Sequence, residues 1–340
     1  MGATSTIGFI IVCKNLFKFV KWVWVMFLRA PKNLKEYGSW AIITGSTDGI
    51  GKAMALELAS KGSQPSLAWS PKNLREYGSW AIITGSTDGI GKAMALELAS
   101  KGLNLILLGR NPKRLEATSN EIRAIDFAKE NSEEIIRKVE EEIEGLDVGI
   151  LVNSAGWTHA YAKYFHEVDD EMINGTINVN LEGTIWVTKA VIPSMIKKKK
   201  GAIINLGSAS TYVLSSYPLF TIYAATKGSV EMFSRSTSLE YKHKGIDIQC
   251  QVPLFVSTKL TKMGSSMFVP TPEKYIKSCT RWIGYESVVV PYLLHSLQAF
   301  TIRAIPHPFL DSYMLRFCLN WRKKGLLIDA KIKASELSRP

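Results

Sequence analysis

A strand–turn–helix segment written twice in succession constrains this chain more than any other feature. Residues 31–62 recur as residues 71–102 with one change, Lys35 against Arg75. Each copy holds a short apolar run, Ser-Trp-Ala-Ile-Ile-Thr, that leads into the turn Thr-Gly-Ser-Thr-Asp-Gly-Ile-Gly at 44–51 or 84–91. The helix-forming run Lys-Ala-Met-Ala-Leu-Glu-Leu-Ala comes next. Two units this alike read as a tandem duplication, not a solenoid, whose stacked repeats number at least three and drift at exposed positions.

The residues immediately after each copy tell the two apart. After Gly102 comes Leu-Asn-Leu-Ile-Leu-Leu at 103–108, a fully apolar run of the kind a buried parallel strand needs; after Gly62, residues 63–70 carry a proline and three serines and read as a linker. The working turn is therefore assigned to the second copy. Gly85, Gly89 and Gly91 permit a tight backbone path and close approach to a pyrophosphate, with Ser86, Thr87 and Asp88 completing the loop. The helix N-terminus from about Ile90 offers free amides to the anion. Alone such a pattern also fits a flexible loop, but set between strand and helix it implies a dinucleotide site. Arg110 closes the next strand, where an acid would bond the ribose hydroxyls of NAD. Its guanidinium favours the 2′-phosphate of NADPH, a solvated loop arginine being the plainer reading.

At 340 residues and 46% hydrophobic content the chain can bury a sizeable core, and one α/β domain suffices once the N-terminus and the extra copy are set aside. Cys13, Cys250, Cys279 and Cys318 show neither metal-ligand spacing nor a paired framework, so no metal is expected and a reduced, cytosol-facing location is favoured. The net charge of +12 comes without a nucleic-acid-binding motif. Basic residues crowd the two ends, Lys32 and Lys35 near one and Arg316, Arg322, Lys323, Lys324, Lys331 and Lys333 near the other, which suits an anionic lipid surface. The lysines at 197–200 read as a solvated loop. Residues 7–28 are mostly apolar and, if helical, about 33 Å long, enough to span a bilayer. Lys14, Lys18 and Lys21 fall on one helical face, so a helix lying in the interface competes with a spanning one.

Further along, strand and helix periods alternate: strands at 148–152, 201–206 and 246–252, helices at about 171–195 and 223–242. This predicts a doubly wound parallel sheet of the Rossmann type, with chemistry gathered at the carboxyl ends of the strands. Those ends carry Asn153-Ser-Ala-Gly156, Asn180 in Asn178-Val-Asn-Leu-Glu-Gly183, Ser208 after Ile203-Ile-Asn-Leu-Gly207, and Tyr223-Ala-Ala-Thr-Lys227. Their order and spacing resemble the short-chain dehydrogenase/reductase family over roughly residues 71–260. Gly145-Leu-Asp-Val-Gly, Phe165-His-Glu-Val-Asp, Cys250-Gln-Val-Pro-Leu-Phe-Val-Ser-Thr-Lys and Arg281-Trp-Ile-Gly-Tyr-Glu are similar to the very-long-chain 3-oxoacyl-CoA reductases of the endoplasmic reticulum, relatives of some hydroxysteroid dehydrogenases.

The resemblance implies NADPH-dependent reduction of a long-chain 3-oxoacyl-CoA to the 3-hydroxyacyl-CoA in fatty-acid elongation. It further implies an endoplasmic reticulum membrane location, other elongation enzymes as partners and no nucleic acid. Tyr223 would be the general acid and Lys227, one turn on, would lower its pKa and bond the nicotinamide ribose. Ser208 would bond the carbonyl oxygen and Asn180 would hold a water. Ser210 lies 13 residues before Tyr223, a common family spacing, and competes with Ser208. Asp126, Asn153, Val256 and Thr258 would join the cofactor contacts.

The expected layout is a membrane anchor at 1–30, the extra copy and linker at 31–70, the catalytic domain at 71–285, and a hydrophobic, basic extension at 286–340. Residues 288–300 and 309–319 would form a lid or membrane-facing helices. Residues 114–153 are short for the family pattern and leave little room for a third strand, and the spare strand at 40–44 is a candidate to cover that edge. A steroid or other lipid ketone reductase, and a catalytically impaired membrane-bound interaction protein, are the competing functions.

Overall fold

The computed structural model describes residues 13–14, 16–29, 40–43, 80–84, 104–109, 122–258, 261, 263–279 and 282–337, and structural statements concern these. The chain divides into two compact units, Met1–Lys32 and Asn33–Pro340. In the first, residues 16–23 are α-helical and Trp24–Leu28 is a π-helical turn, with Phe19 stacked on Trp22 and the Arg29 guanidinium over the Trp24 ring. Among the described residues no helix is long and apolar enough to cross a membrane.

The second unit is built on one parallel sheet. Its strands are β1 (Trp40–Ile43), β2 (Trp80–Thr84), β3 (Asn104–Gly109), β4 (Ile122–Ala124), β5 (Val148–Asn153), β6 (Gly201–Leu206), β7 (Ile246–Gln251) and β8 (Val288–Val289). They lie in the order β4-β3-β2-β1-β5-β6-β7-β8. The described helices between and after them are α1 (Ser132–Ile143), α2 (Asp170–Ile177), α3 (Gly183–Lys198), α4 (Ala209–Tyr212), α5 (Thr221–Lys242), α6 (Pro272–Cys279), α7 (Leu293–Ile302) and α8 (His307–Leu337). β5 and β6 are buried along their whole length, as their near-continuous apolar runs require of central parallel strands. Ile135, Val139 and Ile143, four residues apart on α1, close with Val187 and Val191 of α3 over Leu151 and Ile203.

Two expectations about the sheet are corrected. The shortened region between β3 and β5 does form a third strand: β4 is only three residues long, yet it pairs with β3 through Leu107↔Ile122, Leu108↔Arg123 and Gly109↔Ala124. Asp126 then turns the chain at once, its Oδ1 accepting from the Ala128 amide at 3.1 Å and its carbonyl accepting from the Lys129 and Glu130 amides. The spare strand β1 does not cover an edge. It sits in the middle, between β2 and β5. A central strand pairs both rows of its peptide groups, whereas an edge strand leaves one row exposed. The pairing with β2 sets Ile42 against Ile82 and Ile43 against Ile83, each residue beside its own duplicate. Identical segments paired this way keep the same alternation of faces, so insertion conserves the pattern.

The lysine run also departs from a free loop. Lys198 is in the last turn of α3 and reaches Asp147 Oδ1 at 2.6 Å, and Lys199 takes the left-handed conformation that ends the helix. The linker at 63–70, the helical runs after each glycine turn, and both turns beyond Ile43 and Thr84 lie outside the described residues.

Candidate active site

The strand ends supply a floor of buried polar side chains. Asn153, the last residue of β5, donates from Nδ2 to Asn205 Oδ1 at 2.8 Å and to Thr188 Oγ1 at 3.0 Å. Asn205 on β6 donates onward to Ser234 Oγ at 2.9 Å, and Ser234 to the Val230 carbonyl at 2.7 Å. Sequence reading singled out Asn153 but not Asn205, Ser234 or Thr188. Their signal is polar residues at positions otherwise reserved for aliphatic ones, with Thr226, Val230, Ser234 and Thr237 recurring along the buried side of α5. Asn153 Oδ1 is buried and has no partner among the described residues.

Asn180 sits in a π-helical turn, Asn178–Glu182, where α2 passes into α3. The widened turn brings its fully buried carboxamide between two elements. Oδ1 accepts from the Trp157 amide at 2.6 Å, while Nδ2 donates to the Trp157 carbonyl at 2.9 Å and to Thr226 Oγ1 at 3.1 Å. The side chain thus locks residue 157 to α5, one position before Lys227. A Cβ built on Gly156 would lie 3.9 Å from Asn180 Oδ1 and 4.0 Å from Lys227 Nζ, so the two groups flank the same point of backbone.

Tyr223 and Lys227 share one face of α5, four residues apart. Lys227 is 6% exposed and donates from Nζ to the Leu206 carbonyl at 2.9 Å. Burial pulls its pKa down to about 8, the nearby Cys250 acting weakly the other way. Burial raises the Tyr223 phenol, opposed by a hydrogen bond from Ser208. The lysine, expected to lower the phenol, is not among the influences on it in this geometry.

Ser208 caps the short helix α4. Its Oγ accepts from the Ser210 amide at 3.1 Å and from Ser210 Oγ at 2.9 Å. With both lone pairs occupied, its own hydrogen is left for the cavity that Ser208 shares with Tyr223. Both serine candidates line the cavity together with Tyr223, and Ser210 donates its hydroxyl to Ser208.

These groups open onto a cavity of about 360 Å³. Ser208 and Tyr223 form part of its wall, Val256 and Thr258 lie on the loop after β7, and Met314, Phe317 and Trp321 of α8 close it from another side. Thr261 Oγ1 ties that loop by donating to the Val256 carbonyl at 2.7 Å. Sequence reading did not reach Thr158, His159, Tyr217 or Gln298, which also line the cavity. Thr158 Oγ1 and Gln298 Oε1 are buried without partners among the described residues. His159 donates from Nδ1 to the Tyr161 carbonyl at 2.6 Å, stacks on Phe220, and is held below its ordinary pKa by burial. No periodicity marks these four, since they come from three separate stretches of the chain that only folding joins.

Strand order reverses between β1 and β5, and in open α/β sheets the ligand crevice lies outside the carboxyl ends at such a reversal. The orphaned Asn153 Oδ1, the Lys227 ammonium and the open backbone at Gly156 lie at that end and fit the nicotinamide-ribose half of a dinucleotide. Gly85, Ser86, Thr87, Asp88, Gly89, Ile90, Gly91 and Arg110 lie outside the described residues. Asp126 is described, its Oδ1 held within its own turn.

Residues 79–267 match the family model for short chain dehydrogenases. The chain belongs to the short-chain dehydrogenase family. It is 43% identical to a very-long-chain 3-oxoacyl-CoA reductase-like protein of Arabidopsis thaliana, over 93% of both chains. To the human very-long-chain 3-oxoacyl-CoA reductase it is 39% identical, over 79% of this chain and 76% of that one. Among solved structures, a 7β-hydroxysteroid dehydrogenase superposes with a TM-score of 0.64 at 19% identity, covering 83% of this chain and 99% of that one, a likeness of fold.

Proposed function

We propose that this short-chain dehydrogenase reduces the 3-oxo group of a long-chain acyl-CoA to the 3-hydroxyl, using NADPH. One observation carries the reading: Ser208 and Tyr223 line the same cavity, whose wall is otherwise mostly apolar. A ketone oxygen placed between those hydroxyls receives two donors, and the carbon chain beside it is covered by Phe317, Met314 and Trp321. NADPH supplies the hydride when bound at the strand-order reversal. As charge develops on the oxygen, Tyr223 delivers the phenolic proton and Ser208 keeps its hydrogen bond. Lys227, charged below pH about 8, stabilises the phenolate that remains. Asn180 holds the Trp157 backbone against α5, fixing the distance between the strand ends and the catalytic helix.

Asn153, Tyr223, Lys227, Val256 and Thr258 are the described residues proposed to hold the cofactor, with Asp126 at the adenine end and Arg110 on the 2′-phosphate. The phosphate turn is proposed at 85–91, in the second copy. The central place of β1 favours a second reading, since residues 45–51 continue directly from the strand that borders β5. Gly49→Val and Gly89→Val, each tested by NADPH fluorescence titration, separate the two: the turn in use loses binding and its duplicate does not.

A membrane location in the endoplasmic reticulum, with other elongation enzymes nearby, belongs to the same proposal. It is supported by the basic ends of the chain and by the need to meet a lipid-soluble substrate at the interface. The orphan atoms of Thr158 and Gln298 favour a substrate with polar groups away from the ketone, as the thioester arm of CoA and a hydroxylated steroid both have. NADPH consumption with 3-oxoacyl-CoA of increasing chain length, against ketosteroids, tests the choice, and turnover of ketosteroids alone would overturn it.

A further inference from the structure

The connection between α7 and α8 turns large apolar side chains to solvent: Phe300 is 48% exposed, Ile305 42%, Phe309 72% and Tyr313 64%. Along α8, Phe309, Tyr313, Arg316, Asn320, Lys323 and Leu327 succeed one another at spacings of four and three residues. They therefore occupy one side of the helix, and all are exposed. Cations outnumber acids on the surface of this region. Its only acids between 293 and 331 are two half-buried aspartates: Asp311, which accepts from Ser215 and Ser216, and Asp329, beside Tyr161. Arg322 is likewise paired with Glu167 through both guanidinium nitrogens. That leaves Arg316, Lys323 and Lys324 exposed beside the aromatic side chains.

Exposed aromatic and aliphatic side chains flanked by cations, without exposed acids, match the interface of an anionic bilayer, where rings enter the acyl boundary and long basic side chains reach the headgroups. A second copy of the chain would suit the surface less well, because a symmetric contact sets Arg316 and Lys323 against like charges. Tyr313 ties this surface to the site, being exposed and also part of the cavity wall, with Met314 and Phe317 next to it on the inner side.

We infer that the side of the catalytic unit formed by Phe300, Ile305, Phe309 and Tyr313 seats on an anionic lipid surface and opens the cavity to the bilayer beside Tyr313. The inference rests on the proposed membrane location.

The test uses the full chain with Cys13→Ser, the other three cysteines being buried. Phe300→Cys and Phe309→Cys are each labelled with an environment-sensitive nitrobenzoxadiazole dye. Leu239→Cys on α5, at a site 81% exposed, is the control. Vesicles of phosphatidylcholine with about one third phosphatidylserine are added, and Arg316→Glu with Lys323→Glu is introduced in parallel. The expected result is a blue shift and severalfold brightening at 300 and 309 but not at 239, with the double charge reversal needing about tenfold more lipid. Vesicle binding without change at 300 and 309 would leave the membrane location standing and overturn this contact. Brightening that tracks protein concentration without lipid would assign the surface to a second copy. An equal response at 239 would also overturn it, and failure to bind vesicles at all would overturn both.

Discussion

Tyr223 and Lys227 bear opposite consequences of the same burial. Removing the phenolic hydroxyl in Tyr223→Phe leaves the ring and its packing in place, so the expected outcome is a loss of about 10²–10⁴ in kcat with unchanged NADPH affinity and melting temperature. Lys227 has a folded pKa of about 8 against 10.5 for an unhindered lysine. Below pH 8 both folded and unfolded chains carry the proton, and the folded state bears the cost of a buried ammonium, about 3 kcal/mol. Between pH 8 and 10.5 the unfolded chain binds more protons, so stability rises with pH across that window while activity falls as the ammonium is lost. Denaturant titrations of the wild type and Lys227→Met from pH 7 to 10.5 should show the rise only in the wild type. Both residues were legible through the joint order of motifs that resembles the family, since a tyrosine and a lysine four apart on a helix are by themselves ordinary. Thr226, which pins Asn180, and Ser234, which ends the buried ladder, were not, since a hydroxyl on a helix is ordinary until its neighbours are known.

Elements show where local pattern and packing part. The π-helical turn at Asn178–Glu182 interrupts what the sequence presents as one long helix, and it seats a buried carboxamide against Trp157 and Thr226. Asn180→Ala removes the bonds that hold the Trp157 amide and carbonyl to Thr226, with an expected stability loss of about 1–3 kcal/mol in urea unfolding and a larger fall in kcat than in substrate affinity. Helix α8 continues well beyond the apolar stretch expected from sequence, because Gly325 lets it lie on Tyr161 and Arg322 clasps Glu167. A Cβ at Gly325 would overlap the Tyr161 ring. Gly325→Ala should therefore shift α8, widen the cavity it closes, and raise KM for a long acyl chain more than for a short one, measured by steady-state NADPH consumption.

At the scale of the whole molecule, the sheet holds one strand more than the doubly wound order needs, and it holds it at the centre. β2 carries the same residues as β1, so deleting residues 31–70 leaves a strand able to pair with β5 in the register that β1 now uses. The expected outcome is a folded protein with the order β4-β3-β2-β5-β6-β7-β8, with circular dichroism and cooperative melting retained and NADPH bound by the remaining turn. An unfolded product would mean that the inserted strand has become indispensable to the core.

Alternating strand and helix periods determined the fold class, because backbone geometry converts a local period directly into position, and the joint order of the glycine turn, Asn180, Ser208, Tyr223 and Lys227 resembles one family closely enough to imply its chemistry. Only the tertiary structure decided where the duplicate strand goes and which loops and helices enclose the cavity. Two identical segments offer identical local preferences, so their places are set by which neighbours can satisfy both rows of peptide hydrogen bonds. The cavity is likewise built from residues far apart in the chain, whose partners no sequence window contains.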